Sequence, residues 1–135
     1  MTDPGAAHGE VAVVHRRYVT HADAHYSGNL VDGAFGLTLF GDAATHLSIV
    51  YDAHEGLFAG YSSVEFLAPV RGGDVVEVEA WLTGTGARSR SVAFELRVLC
   101  RADGPGGRST VLGEPLLATR ARGTVVVPRD HRTPA

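Results

Sequence analysis
Apolar and polar positions along this chain form one long block with helical start signals, followed by shorter runs with strand-like patterning. The block spans residues 25–45, HYSGNLVDGAFGLTLFGDAAT, and its apolar body continues to Ile49. Asn29 is a strong N-cap type and Asp32 follows it at capping-box spacing, so the helix is expected to begin near Asn29. From Leu30 to Ile49 the apolar residues occupy more than one face, interleaved with Gly33, Gly36, Gly41, Ala34, Ala43 and Ala44. A helix that is apolar nearly all round is a buried one. Its glycines each cost roughly 1 kcal/mol against alanine, so packing must supply what propensity does not.

The flanking segments read as strands. Residues 10–20 are rich in β-branched and aromatic types, and residues 21–27 form a polar connector carrying His21, Asp23 and His25. Residues 47–51 fit either the end of the helix or a short strand. Residues 57–67 lead to Pro69 and the turn Arg71-Gly72-Gly73-Asp74. Residues 75–83 alternate, with Val76, Val78, Ala80 and Leu82 opposite Glu77, Glu79 and Trp81; residues 91–101 alternate again. Residues 102–113 form a glycine-rich loop, and residues 116–127 are the last strand. Strand, buried helix and a run of antiparallel strands indicate an α+β layer fold. Residues 10–128 are expected to form one domain, with flexible tails at 1–9 and 129–135.

Composition narrows the function. The 135 residues suit one domain. The apolar fraction of 44% and charged fraction of 20% are ordinary for a globular protein. A net charge of −3 gives no footprint for nucleic acid and no polybasic membrane signal. All 12 basic residues are arginine, a mark of codon usage rather than of chemistry. The N-terminus lacks the charged-then-apolar plan of a signal peptide, and no apolar run reaches about 18 residues, so the cytoplasm is the expected location. Cys100 stands alone, and the seven histidines show no HxH or HExxH spacing, so no metal is expected. Asp42 and His46, at i and i+4 on the helix, are expected to pair.

The motifs AHYSGNLVDGA, LFGDAAT, EGLFAGY and VEFLAPV, with VEFLAPVRGGDVVEVEAWLTGTG beyond them, resemble hotdog-fold acyl-CoA enzymes. More narrowly, they resemble the 3-aminobutyryl-CoA and β-alanyl-CoA ammonia-lyases, over roughly residues 16–100. The resemblance implies a hotdog fold, an antiparallel sheet of about five to six strands wrapped around one long helix. It also implies a homodimer as the working unit, with tetramers or hexamers as further assemblies, and a site at the subunit interface. The implied ligand is an acyl thioester of coenzyme A, and the glycine content and the loop at 102–113 leave a carrier-protein thioester open. The sequence has no Walker loop and no dinucleotide fingerprint, so no cofactor is expected beyond the coenzyme A of the substrate.

Eliminating ammonia from a β-aminoacyl thioester requires a base for the proton α to the carbonyl, stabilisation of the enolate oxygen, and an acid for the departing amine. A buried helix N-terminus suits the second task, because its unpaired amides and dipole favour negative charge. Gly28, Asn29 and Gly33 at the expected helix start are therefore candidates for holding the thioester carbonyl, although Gly28 also reads as an ordinary turn glycine. Asp32 is the best acid/base candidate, with a capping carboxylate as the other reading. Capping would lower its pKa, whereas a base near neutral pH wants it raised. His25, just before the helix, could orient the carbonyl or shuttle a proton. In residues 57–67 a period of two places Tyr61 and Glu65 on one face, where they could point at the helix start of a partner subunit. Each also has a structural reading, Tyr61 as a packing aromatic and Glu65 as an interface ion pair. Arg88, Ser89 and Arg90, in the link between two strands, could cradle the phosphates of coenzyme A.

Three functions remain open on this scaffold. A lyase acting on a small β-aminoacyl thioester is the first. An acyl-CoA or acyl-carrier-protein thioesterase is the second, with Asp32 or Glu65 activating water or attacking directly. Thioesterases of this kind often carry Asn where His25 stands, and this chain departs from that pattern. A non-catalytic acyl-thioester binding module is the third.

Overall fold
Helix α1 (Gly33–Asp52) starts where one carboxylate satisfies its first turn: Asp32 is the N-cap, and its Oδ1 accepts from the Phe35 amide at 2.9 Å. The start therefore lies beyond Asn29, which instead adopts a left-handed φ of 61° in the preceding turn. The helix continues through residues 47–51 and ends at Ala53, a left-handed C-cap whose N–H donates to Ile49 O. In the computed structural model, which describes residues 1–128, five strands surround it: β1 (Ala12–Tyr18), β2 (Leu57–Phe66), β3 (Val75–Thr85), β4 (Ser89–Ala102) and β5 (Ser109–Val126). They form one antiparallel sheet in the order β1-β3-β4-β5-β2, and α1 packs across one face of it. This is the hotdog arrangement. The expected tail at 129–135 lies outside the described residues.

The helix is not buried all round. Gly36, Leu39, Phe40, Ala43, Ala44 and Leu47 recur at three- and four-residue spacing and face the sheet. Thr38, Asp42, Thr45 and Ile49 look away from it. A single five-stranded sheet covers one side of a helix, and the apolar residues on the other side are left at the surface. The core is centred on Phe40 and Phe94, whose rings stack with centroids 4.9 Å apart. Asp42 and His46 do not form the expected pair: His46 Nδ1 lies 2.8 Å from His15 Nε2 of β1.

On the opposite face of the sheet, Glu79 is fully buried although it belongs to the polar set of its strand. Two things cover it. Arg97 lies across Glu77, Glu79 and Glu95, at 3.1, 2.9 and 2.7 Å. The N-terminal segment lies over the same carboxylate, with the Ala7 and His8 amides donating to Glu79 Oε2 at 3.1 and 2.8 Å, while His8 stacks on Trp81. Residues 1–9, expected as a tail, are thus laid down on the sheet. A buried carboxylate requires donors, and these amides supply them. His8, Glu79 and Glu95 gather within metal-ligating distance of one another, and the Arg97 guanidinium is bonded to both glutamates.

The glycine-rich loop is shorter than residues 102–113 suggest. β4 and β5 pair out to Ala102 and Ser109, leaving only residues 103–108 between them. A register shift between Val98 and Cys100 absorbs Pro115, which cannot donate to a ladder.

Arg90 closes the far end of the helix. Its Nε and Nη2 donate to the two oxygens of Asp52 at 2.9 Å each, and its Nη1 donates to the carbonyls of Gly86 and Ser89. Asp52 is 0% and Arg90 9% exposed at the side chain, so deleting the arginine takes the bidentate partner from a buried charge. Arg90→Ala is expected to destabilise the fold by about 3–5 kcal/mol. Arg88→Ala, at the exposed hairpin tip, should stay within about 0.5 kcal/mol of the parent. Denaturant unfolding of the two variants checks the contrast.

Candidate active site
The N-terminal end of α1 opens onto a cleft of about 390 Å³. Its walls come from the helix start (Val31, Asp32, Gly33, Phe35, Gly36) and from the end of β2 and the segment after it (Phe66, Leu67, Ala68, Pro69, Val70). Leu96 of β4 and Thr119 of β5 complete it. The mouth is marked by exposed Phe66 and Leu67, and the floor by buried Gly36, Leu96 and Thr119. Phe66 lies directly on Gly33, where any Cβ would come within 2.7 Å of the ring. A side chain at Gly33 would push the exposed Phe66 ring aside.

Asp32 is at once the cap and a lining residue. Its Oδ1 holds the Phe35 amide, and its Oδ2 lies 2.6 Å from His25 Nε2. His25 stands outside the cleft, half-exposed, with its ring edge-on to Tyr26. The bond to His25 first, and the Phe35 amide second, hold the Asp32 carboxyl below its ordinary value of 3.8. The carboxylate is therefore ionised throughout the neutral range. The amides of Gly33 and Ala34, in the first turn, have no intrahelical acceptor and face the N-terminal end. A carboxylate, an imidazole behind it and a helix N-terminus thus meet at one edge of an apolar cleft. This set can remove a proton and hold a developing oxyanion.

Several sequence-based assignments fall elsewhere. Gly28 is exposed at φ 82°, the geometry of a turn glycine, and within the chain a Cβ there would meet nothing within 4 Å. Asn29 fastens the loop instead: its Nδ2 donates to Gly72 O at 2.9 Å, and its Oδ1 lies 3.2 Å from His21 Nδ1. Both precede the helix start, so its free amides belong to later residues.

Tyr61 and Glu65 do not share a face. A bulge at Ser62 makes Tyr61 pair with Gly123 and Ser63 with Arg122, which reverses the alternation. Tyr61 turns into the core against Phe58 and Phe94, and burial pushes its phenol above 10.0. Glu65 turns to the face away from α1, where Arg120 bonds both its oxygens and holds its carboxyl low. Neither lines the cleft.

Arg90 is committed to Asp52 and cannot cradle a phosphate. Its hairpin, with Arg88 and Ser89, sits at the C-terminal end of α1, about 30 Å from the cleft along a helix of 20 residues. Only another subunit could bring Arg88 and Ser89 near this cleft. Thr119 and Phe66 were not singled out in the sequence. A lone hydroxyl in LLATRAR is a weak signal, and its inward direction depends on the register shift between Leu96 and Arg97.

The geometry defines a hotdog-fold protein with an acid–imidazole pair at the mouth of a small apolar cleft. The model of the thioesterase superfamily matches residues 29–100. A 3-aminobutyryl-CoA ammonia lyase of Acetoanaerobium sticklandii is 51% identical over 112 residues, 82% of this chain and 89% of the relative. The solved β-alanyl-CoA:ammonia lyase from Clostridium propionicum is 34% identical with a TM-score of 0.85, covering 88% of this chain and 86% of that one. A hexameric hotdog-fold thioesterase of Campylobacter jejuni, 21% identical with a TM-score of 0.70 over 86% of this chain and 83% of that one, shares the fold. The chain belongs to the thioesterase superfamily, in the family of these CoA-thioester ammonia lyases.

The lowered carboxyl of Asp32 links stability to pH. Its ionised form is favoured in the folded chain, so the contribution is full above the ordinary 3.8 and is lost as pH falls through the lowered value. Asparagine caps a helix as well as aspartate does. The stability difference between the parent and Asp32→Asn is therefore expected to favour the parent at neutral pH and to vanish on acidification below 3.8. Thermal melts across that range measure it.

Proposed function
We propose that the chain is a carbon–nitrogen lyase that reversibly removes ammonia from a short β-aminoacyl thioester of coenzyme A. The observation that carries this reading is the Asp32–His25 pair at the helix N-terminus, with Asp32 lining the cleft. The kinship with two named ammonia lyases supports it. The thioester carbonyl accepts from the Gly33 and Ala34 amides. Asp32 takes the α-proton, leaving an enolate whose charge the amides and the helix dipole share. The amine is bound as its ammonium form, so the enolate collapses to the enoyl thioester as the C–N bond breaks, the electron pair goes to nitrogen and neutral ammonia leaves without a separate acid. His25 passes the proton from Asp32 outward, since it is bonded to the carboxylate and open to solvent. Read backwards, the same steps add an amine to an enoyl thioester.

Coenzyme A enters as the handle of the substrate, with no further cofactor; a carrier-protein thioester would present the same acyl group. The working unit in this reading is a multimer built on a dimer. β2 is a sheet edge with Leu57, Phe58, Phe66 and Leu67 at 65%, 37%, 59% and 48% exposure, a surface that calls for a partner strand. In such an assembly Arg88 and Ser89 of another chain are available to the coenzyme A phosphates. Among the described residues no helix is long and apolar enough to cross a membrane, and the cytoplasm is the proposed location.

Supplying 3-aminobutyryl-CoA or β-alanyl-CoA should produce the ultraviolet absorbance of an enoyl thioester. Release of free thiol without that absorbance would identify a thioesterase instead. Binding without either signal would leave only an acyl-thioester binding module. Asp32→Asn keeps the cap and should lower turnover at least about 100-fold; Glu65→Gln, on the other face of the sheet, should leave it unchanged. Loss of turnover in Glu65→Gln and not in Asp32→Asn would reverse the assignment.

A further inference from the structure
The floor of the cleft carries one polar group. Thr119 is 4% exposed and sits in register between Leu96 of β4 and Phe66 of β2. Its hydroxyl has no hydrogen-bond partner among the described residues, yet it is not sealed from the cleft that it lines. A hydroxyl placed there bonds to water until a ligand group displaces it, and an apolar group that does so cannot replace the lost bond. Directly opposite is Gly36, where a Cβ would lie 4.0 Å from Thr119 Oγ1 and 3.4 Å from Leu96 Cδ1. Hydrogen at that position keeps the hydroxyl open to whatever enters.

Resting on the lyase reading, we infer that Thr119 is the residue that selects a β-amino acyl chain over a plain alkyl one, by accepting a hydrogen bond from the β-ammonium group at the cleft floor. Asp32 and Gly36 lie one helical turn apart, about 6 Å along the axis. That separation lets a short acyl chain place its α-carbon at Asp32 and its amine at Thr119. Apart from Asp32 and Thr119, the side chains that line the cleft are apolar and offer an ammonium no acceptor. A butyryl chain would leave the hydroxyl unpaired. Sites that hydrogen-bond a substrate group reject analogues lacking it for this reason.

The test compares 3-aminobutyryl-CoA with butyryl-CoA on Thr119→Val, which keeps the shape and removes the hydroxyl, and on Thr119→Ser, which keeps the hydroxyl. Binding is read by calorimetry in an Asp32→Asn background, and kcat and KM are read in the otherwise native chain. Thr119→Val should weaken 3-aminobutyryl-CoA at least about tenfold while butyryl-CoA binds as well as before or better. KM should rise more than kcat falls, and Thr119→Ser should restore the preference. Equal weakening of both thioesters, or an unchanged preference in Thr119→Val, would overturn the assignment even if the chain proves to be a lyase. Binding that discriminates through Thr119 in a chain that shows no turnover would support Thr119 and sink the lyase reading. Failure to bind either thioester would overturn both.

Discussion

Helix α1 is held at its two ends by two aspartates, and the rest of the site depends on that arrangement. At the far end Asp52 is locked to Arg90 in a buried bidentate pair, tying the helix to the β3–β4 hairpin. At the near end Asp32 caps the first turn while staying accessible to the cleft. A buried pair fixes position, because separating it would strand charge in the core. The capping carboxylate is then held in one place with one oxygen on an amide and the other on His25. In the proposed reaction, structural and chemical roles fall on the same side chain. The consequence is a lowered pKa, which makes Asp32 a weak base. Oxyanion stabilisation by the neighbouring amides compensates by making the α-proton easier to remove.

The second constraint is the break in alternation along β2. Its bulges send Tyr61 inward to the Phe58–Phe94 cluster and Glu65 outward to Arg120. One extra residue in a strand exchanges its faces. Within one chain the cleft therefore has one carboxylate, Asp32, with the His25 imidazole bonded to it. The outward face has its own electrostatic order: Arg97 ties three glutamates together, and the N-terminal segment supplies amides to Glu79. This network stabilises the sheet on the side away from the cleft.

The same scaffold supports hydrolysis as well as elimination, and fold alone does not choose between them. The distinction rests on what stands near the thioester. In the proposed reaction it is a cap carboxylate backed by a histidine, over an apolar floor with one hydroxyl.

Local composition was enough to reveal the long central helix, the strands around it, and the end of the helix where Asp32 and His25 stand beside a cleft. Each of these follows from patterning or from capping types within a few residues, together with motifs that resemble a known family. What the tertiary structure alone decided is where long-range pairing overrides such patterns. Asn29 looks like a cap, but its side chain is taken by Gly72, far along the chain. Arg90 looks like a solvated phosphate ligand, but Asp52 lies opposite it in the folded core. Glu79 looks like a surface residue, but residues 7 and 8 lie over it. Thr119 gains its place on the cleft floor from strand register across β4, β5 and β2. A sequence states what each residue can bond to; only the packed chain determines which of those partners arrives first and excludes the others.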